Sequence, residues 1–235
     1  MEGLYKEYAK IYDIIYYKEA LYRKEVDYIE SIAPPPLKIL DLCGGTGSHA
    51  NLLINDGYDV TIVDRSDSML KIAQQKNKRI KTVCSDIFQF EFDGEYDIIL
   101  CMYGAIHYTN DLNQIKCLIE RLLYHLNPGG KVLFDLRYSD NLPEDNGLEI
   151  NNGWWNRKFW KRKKGVDGSD IYVVTAFNKE HHFLEVHNLY HCDPFLFRDM
   201  FLKGGFAQVD LYDGYTKTPF IATKGGNVVV LVASC

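Results

Sequence analysis

The sequence lacks several features that would assign it to a compartment or to a class of partner. Its six cysteines include no C-x-x-C pair, which removes the usual signature of a zinc or redox site. No apolar run reaches the ~20 residues of a membrane span, and Met1–Tyr8 is charged, unlike a signal peptide. The net charge of −5 provides no overall positive field for nucleic acid. We therefore expect a cytoplasmic protein with reduced cysteines, no metal site and no membrane contact.

A short apolar segment followed by a glycine-rich loop is the most informative feature of the chain. Ile39–Leu42 is typical of a buried strand, Gly44–Gly47 of a tight loop and Ser48–Ile54 of a helix. A strand, a glycine loop and a helix N-terminus form a nucleotide-cofactor site, because glycines let the backbone approach the ligand closely. Asp41 lies at the end of the strand, where a carboxylate would repel a pyrophosphate and favour a cationic cofactor.

The same loop also satisfies the dinucleotide fingerprint G-x-G-x-x-G/A, with Gly45, Gly47 and Ala50. Asp64 ends the next apolar segment, close to the spacing of about 20 residues at which an acidic side chain meets a ribose. Both cofactor classes need that acceptor, so Asp64 does not separate them. Asp41 favours the cationic cofactor, unless it only holds the amides of the loop. A nicotinamide-dependent oxidoreductase stays an alternative.

Strand-like and helix-like segments alternate along the first part of the chain. This alternation predicts an α/β fold with a Rossmann-like, doubly wound, mostly parallel seven-stranded sheet. Later, residues 138–153 are loop-like, and Ile171–Phe177 and His182–Tyr190 are typical of two antiparallel strands. We predict three parts: N-terminal helices and a cofactor-binding core in 1–137, an antiparallel substrate-side insertion in 138–192, and a helix with a strand pair that completes the sheet in 193–235.

Five short motifs occur in the order and at the spacing of a known family. They are Tyr12–Asp13, Leu40–Gly47, Val63–Leu70, Cys84–Asp86 and Leu126–Phe134. Together they resemble the class I S-adenosylmethionine-dependent methyltransferases. The resemblance covers roughly residues 5–137 and the final strand pair.

Two details refine this resemblance. The family usually has glycine or alanine where Cys43 lies, and often cysteine where Gly44 lies. Both replacements are small, so the loop should keep its course. The segment Cys101–His107 and the two-strand insertion look most similar to small-molecule N-methyltransferases, including those that dimethylate nucleotide-linked amino sugars.

The resemblance implies S-adenosyl-L-methionine as the cofactor and gives a role to each matching position. Asp41 and the glycine loop would face the methionine end, and Asp64 would accept hydrogen bonds from the ribose. Met69 would pack on the adenine and Asp86 would accept from its amino group, although core packing and a turn cap are the respective alternatives. The implied cofactor-binding residues are Tyr12, Asp41, Cys43, Gly44, Gly45, Gly47, Asp64, Met69, Asp86, Ile87, Cys101 and Met102.

Methyl transfer is an in-line displacement, so alignment is the main contribution and a base helps to remove the proton of the nucleophile. His107 follows the fourth predicted strand and is the candidate base, with a purely structural histidine as the alternative. Tyr103, Arg137, Trp154 and Trp155 are the candidate substrate-binding residues. Arg137 suits an acidic or phosphorylated acceptor, or a surface salt bridge. The tryptophans suit a substrate wall, or the core of a hairpin.

Three further groups of side chains have two interpretations each. Tyrosines at 5, 8, 12 and 16 form a helical stripe that suits closure over a sulfonium, or packing on the sheet. Arg157–Lys164 has six basic residues in eight, which suits an RNA contact or a solvated hairpin turn. On one face of the last insertion strand, His181, Glu185, His187 and His191 suit a metal site, or simple exposure opposite core-facing Leu184, Val186 and Tyr190.

We therefore expect a methyltransferase that acts on a small molecule, at nitrogen rather than oxygen. Its partner would be that small-molecule acceptor and not a nucleic acid, and the protein would be a monomer or homodimer. A transfer-RNA methyltransferase, the oxidoreductase and a non-catalytic binding module that retains the cofactor fold are the alternatives.

Overall fold

The structure is a computed structural model that describes most of the chain. The described residues are 5, 8–91, 94–109, 111–138, 148–152, 155–162, 170–180, 182–190, 193–222 and 228–235. Within them, no helix is both long enough and apolar enough to cross a membrane.

Six helices, one short 3₁₀ turn and eleven strands are described, and the β-α alternation of the first half is the one that the sequence predicts. The elements are α1 (Ala9–Tyr16), α2 (Glu19–Ile32), β1 (Lys38–Leu42), α3 (Ser48–Asn55), β2 (Asp59–Asp64), α4 (Asp67–Lys76), β3 (Lys81–Cys84), β4 (Tyr96–Cys101), the 3₁₀ turn (Ala105–Tyr108), α5 (Leu112–His125), β5 (Leu126–Arg137), β6 (Leu148–Asn152), β7 (Trp155–Arg162), β8 (Asp170–Phe177), β9 (His182–Leu189), α6 (Pro194–Gly204), β10 (Gln208–Asp213) and β11 (Val228–Ser234).

The main sheet has seven strands in the order β10-β11-β5-β4-β1-β2-β3. The strands from β5 to β3 are parallel, and β11 runs antiparallel to both β5 and β10. This confirms the predicted fold class. The chain leaves β1 toward β2 on one side and returns at β4 on the other, so the strand order reverses between β1 and β4. In such sheets the ligand crevice lies at that reversal, beyond the carboxyl ends of the strands.

Two apolar layers sandwich the sheet. One layer lies under α5 and α6 and includes Phe134, Phe197 and Phe201, which are fully buried. The other lies under α2, α3 and α4 and includes Ile29 and Leu53. With both faces covered, the sheet presents polar side chains to a ligand only at its strand ends.

A second sheet, β6-β7-β8-β9, is antiparallel throughout. The two strands predicted at the end of the insertion are confirmed as β8 and β9. The prediction was wrong earlier in the insertion, because residues 148–152 form β6 and residues 157–162 belong to β7 instead of a loop and a hairpin turn. Pairing with β6 on one side and β8 on the other holds β7 extended, although its charged sequence carries no strand-like alternation.

Candidate functional site

The loop that follows β1 packs tightly against its neighbours, which limits the residues it can contain. A Cβ on Gly44 would lie 2.6 Å from Asp41 Oδ2 and 2.9 Å from Ile62 Cγ2, so this position has no room for a side chain. Cys43 adopts a left-handed conformation with φ 58°, and its N–H donates to Val63 O at 2.7 Å. The left-handed region favours glycine, so Cys43 places a side chain where backbone strain is expected.

Asp64 ties the end of β2 to this loop. Its Oδ2 accepts from the N–H of Gly45 at 3.0 Å, and its Oδ1 accepts from the N–H of Ser66 at 2.8 Å. Burial raises the pKa of Asp64, while these two backbone donors oppose the rise. The carboxylate therefore lies at the crevice, beside the glycine loop, as the sequence predicts.

Asp41 is a buried carboxylate with one oxygen that lacks a hydrogen-bond donor in the described part of the chain. It is 1% exposed, and among the described residues no group donates a hydrogen bond to its Oδ2. Burial raises the pKa of Asp41 to about 6; nearby His49 opposes the rise and Asp64 adds to it. His49 itself bonds Glu25 at 2.7 Å through Nε2. The interpretation in which Asp41 serves only the loop amides does not account for the unpartnered Oδ2.

Further carboxylates lie at the same end of the sheet as Asp41. No role was predicted for Asp13, Glu25 or Asp135. Asp13 accepts from Thr46 Oγ1 at 2.6 Å and pairs with Lys76 at 2.9 Å. Asp135 accepts from the N–H of Gly104 at 2.6 Å and from a tyrosine hydroxyl at 2.7 Å. With Glu25 and Asp64, they make this edge of the crevice acidic. Of the carboxylates without a predicted role, Asp13 lay in a matched motif, whereas Glu25 and Asp135 come from α2 and β5.

Aromatic rings line the same edge. Tyr12 packs against Tyr16 with ring centroids 4.6 Å apart and against Tyr5 at 5.9 Å, edge to face. Tyr22 stacks on Tyr103 at 5.3 Å. Burial raises the pKa of Tyr12, so its hydroxyl stays protonated at neutral pH. These tyrosines therefore form an aromatic wall at the strand ends.

The residues expected around an adenine ring also meet at these strand ends. Met69 and Ile87 are buried, as are Cys101 and Met102 at the end of β4. Asp86 is half-buried, and its Oδ1 accepts from a backbone N–H two residues along at 2.9 Å. The turn-cap interpretation of Asp86 is thus confirmed for one oxygen, while its other oxygen makes no hydrogen bond among the described residues.

The geometry of His107 does not fit a catalytic base, and we correct that expectation. The side chain is fully buried. Its Nε2 accepts from the backbone N–H of Arg137 at 2.9 Å, and its Nδ1 donates to Tyr190 O at 2.9 Å. Both ring nitrogens form hydrogen bonds with backbone groups, so the ring joins the 3₁₀ turn to β5 and to the residue after β9. The structural alternative is the one that fits.

A different histidine occupies the crevice. His187 Nδ1 lies 2.5 Å from the Tyr108 hydroxyl, which lies 2.7 Å from the Tyr5 hydroxyl. The N–H of Tyr5 donates to both oxygens of Glu185, at 3.0 and 3.3 Å. Burial lowers the pKa of His187 to about 4, with help from Arg137 and Arg65. His187 is therefore neutral at pH 7, and its Nδ1 can accept a hydrogen bond from the Tyr108 hydroxyl.

This cluster reverses the expected orientation of β9. Glu185 and His187 are buried, whereas Leu184 and Val186 are 67% and 50% exposed. The expectation that these two apolar residues face the core was wrong, because the inner face of β9 borders a polar crevice. No group suited to hold a metal ion occurs among the described residues, and His181 and His191 lie outside them.

The structure describes only some of the remaining residues predicted to bind the substrate. Arg137 lies at the end of β5 with an exposed side chain, and Tyr103 follows β4 with φ 60°. Trp154 lies outside the described residues. Trp155 begins β7, and only its backbone course is described. The side chains of the basic segment 157–164 also lie outside the described part, so the RNA contact stays a prediction.

Residues 39–130 match the model of a family described as a methyltransferase domain. The chain is similar to YqeM of Bacillus subtilis (strain 168), which carries only a provisional assignment as a methyltransferase, with 30% identity over 145 residues, 60% of this chain and 58% of that protein. It is similar to the ubiquinone/menaquinone biosynthesis C-methyltransferase UbiE of Shewanella sediminis (strain HAW-EB3), with 27% identity over 188 residues, 76% of this chain and 69% of that protein.

A third relative is the dTDP-4-amino-2,3,4,6-tetradeoxy-D-glucose N,N-dimethyltransferase of Saccharopolyspora spinosa, with 24% identity over 134 residues, 55% of this chain and 54% of that protein. The chain thus spans little more than half the length of two of these three relatives.

Two solved structures share the whole fold. An S-adenosylmethionine-dependent methyltransferase from Clostridium acetobutylicum ATCC 824 superposes with a TM-score of 0.82 at 20% identity, over 97% of each chain. The S-adenosylmethionine-bound amino pentose methyltransferase CalS10 from Micromonospora echinaspora superposes with a TM-score of 0.75 at 16% identity, over 100% of this chain and 99% of that one.

Proposed function

We propose that this chain is a class I S-adenosylmethionine-dependent methyltransferase that transfers a methyl group to an amine nitrogen of a small-molecule acceptor. The observation that carries the choice of acceptor atom is the buried His187 bonded to Tyr108: with a pKa of about 4 it is too weak a base to deprotonate an alcohol, whereas an amine attacks with its own lone pair. The names of the relatives do not decide it alone, because they include both an N,N-dimethyltransferase and a C-methyltransferase.

The residues present fit this cofactor. When bound, S-adenosylmethionine supplies a methyl group on a positively charged sulfonium, so the site must favour a cation. The unpartnered Oδ2 of Asp41 and its raised pKa are the features of a carboxylate that lacks a cationic partner. Gly44 brings the loop backbone against that same oxygen, and a side chain there would separate the two.

We assign the cofactor-binding roles as part of this proposal. Asp64 would accept from the ribose hydroxyls with the lone pairs that Gly45 and Ser66 leave open. Met69 and Ile87 would flank the adenine, with Asp86 at its amino group. The group formed by Asp41, Cys43, Gly44, Gly45, Gly47, Cys101 and Met102 would contact the methionine end and the ring edge. Tyr12 would close over the sulfonium, where the face of an aromatic ring attracts a cation.

Amine methylation needs a place for one proton. The nitrogen lone pair forms the new bond to the methyl carbon, the carbon–sulfur pair stays on sulfur, and the methylated ammonium then releases a proton. The Tyr108 hydroxyl can accept a hydrogen bond from the amine N–H while it donates to Nδ1 of the neutral His187, which aims the amine lone pair at the methyl carbon; the proton of the product ammonium passes to solvent. Burial raises the pKa of Tyr108 to about 12, so its hydroxyl stays protonated and able to donate to His187.

Calorimetric titration with S-adenosylmethionine and S-adenosylhomocysteine tests the cofactor, with NADH as the competing ligand. We expect micromolar affinity for both adenosyl ligands, lost in Asp64→Ala and kept in Asp59→Ala, which alters the opposite end of β2. Tight NADH binding without adenosyl binding would contradict the assignment.

Transfer of tritiated methyl groups to a panel of primary amines, alcohols and unfractionated transfer RNA tests the acceptor. Label in the amines is the expected result. Label confined to transfer RNA would replace the small molecule by the RNA alternative.

A further inference from the structure

Two arginines project from opposite sides onto the 3₁₀ turn that carries Tyr108. The guanidinium of Arg65, the residue directly after Asp64, lies 5.7 Å from the centroid of the Tyr108 ring. Arg137, at the end of β5, places its Cγ and Nε 3.2 Å from the Cβ position of Gly104, at the other end of the same turn. Strands β2 and β5 are not neighbours in the sheet, so the fold brings these two charges together across the crevice.

The positive charges of Arg65 and Arg137 act on both His187 and Tyr108. Arg65 and Arg137 each lower the pKa of His187 and the pKa of Tyr108 by their positive charge. Both side chains are exposed, and among the described residues neither guanidinium forms an ion pair or a side-chain hydrogen bond. In contrast, Arg23 and Arg198 are paired with carboxylates.

We propose that Arg65 and Arg137 form an anion subsite that binds an acidic group, phosphate or carboxylate, on the acceptor. The acceptor would then be an amine with an oxyanion on the same small molecule. Guanidinium groups bind such oxyanions through paired, charge-assisted hydrogen bonds. The statement that the bound anion belongs to the acceptor rests on the proposed methyl transfer; the anion site itself does not.

The surroundings favour an anion at this position. The cofactor edge of the crevice is lined with carboxylates, which would repel an anionic group and leave the arginine side as the place where it is stabilised. Of the carboxylates near the cluster, Glu185 accepts from the N–H of Tyr5 and interacts with Arg65 through its charge, but among the described residues it forms an ion pair with neither arginine. An anion held between the two guanidiniums would also orient the amine toward Tyr108, which supports the alignment that in-line transfer requires.

Calorimetric titration of the full chain, saturated with S-adenosylhomocysteine, tests the subsite directly. The probes are sodium pyrophosphate for the phosphate source and malonate for the carboxylate source, at one fixed ionic strength. We expect one probe to bind, about tenfold more weakly in Arg65→Gln or Arg137→Gln and not measurably in the double variant. Arg198→Gln, an exposed arginine on α6, is the matched control and should bind as the wild type does.

Each outcome decides the proposal. Pyrophosphate binding that needs both arginines assigns a phosphorylated acceptor, and malonate binding that needs both assigns a carboxylated one. Failure of both probes to bind, or binding that survives in the double variant, overturns the subsite. Affinity for S-adenosylhomocysteine is measured in every variant: its absence in the wild type refutes the proposed function, whereas normal affinity without anion binding refutes the subsite alone.

Discussion

Replacement of Asp41 by asparagine should make the cofactor-free protein more stable while removing its cofactor affinity. Asp41 is a buried carboxylate whose Oδ2 has no hydrogen-bond donor among the described residues, and burial raises its pKa to about 6. At pH 8 the folded protein must therefore carry an unpaired buried charge. Asparagine keeps the shape of the side chain and removes that charge.

The magnitude follows from the pKa. An ordinary aspartate titrates near 3.9, so the folded state raises the pKa by about 2 units, which corresponds to roughly 3 kcal/mol when the group is fully ionised. For an acid with a raised folded pKa, the stability is fully present below the unfolded pKa and is lost as pH rises through the folded pKa. The gain in Asp41→Asn should thus grow from about 1.5 kcal/mol at pH 5 to about 3 kcal/mol at pH 8.

Urea unfolding of both proteins at pH 5 and pH 8 measures this gain, and at pH 8 the melting temperature should rise by about 6–12 °C. An amide that packs less well would shift both values equally, so the difference between the two pH values is the test. Asp59→Asn, at the exposed start of β2, is the matched control. An equal effect at both pH values, or cofactor affinity within twofold of the wild type, would refute this account of Asp41.

Three further substitutions test the site. His187→Gln should lower kcat about tenfold with unchanged S-adenosylmethionine affinity, because it weakens the hydrogen bond that holds the Tyr108 hydroxyl in place; His182→Gln, on the outer face of β9, should leave both values unchanged. Gly44→Ala should abolish cofactor binding in calorimetry, because its Cβ would lie 2.6 Å from Asp41 Oδ2. His107→Ala should lower the free energy of unfolding by about 2–4 kcal/mol in urea, because two buried backbone groups lose their partner; a normal stability with a loss of kcat alone would restore the catalytic role.

The cofactor half of the site could be predicted from the sequence because its determinants are local. Asp41, the glycine loop and Asp64 each follow directly from a strand end, and the alternation of strands and helices dictates which strand ends meet. The spacing of the motifs therefore carries most of the geometry, including the close approach of Gly44 to Asp41.

The acceptor half could not be predicted in the same way because its contacts are long-range. The partners of His107 lie 30 and 83 positions away, so nothing near it in the sequence shows that both ring nitrogens are occupied. In β9 the rule that apolar residues face inward failed at Leu184 and Val186. That strand borders a polar crevice, where Glu185 and His187 find hydrogen-bond partners from distant segments.

One short turn lies between the carboxylates and the arginines of the crevice. Tyr103 and Gly104 are both left-handed, with φ 60° and 63°, and the N–H of Gly104 donates to Asp135 on the cofactor side. Three residues later His107 joins the turn to β5, and Tyr108 contacts His187. Because Asp135 and Arg137 both lie against Gly104, one on the proposed cofactor side and one on the proposed acceptor side, we expect the conformation of this turn to set the distance between methyl donor and nucleophile. We therefore expect residues that hold the turn, such as Asp135 and His107, to affect the rate through alignment.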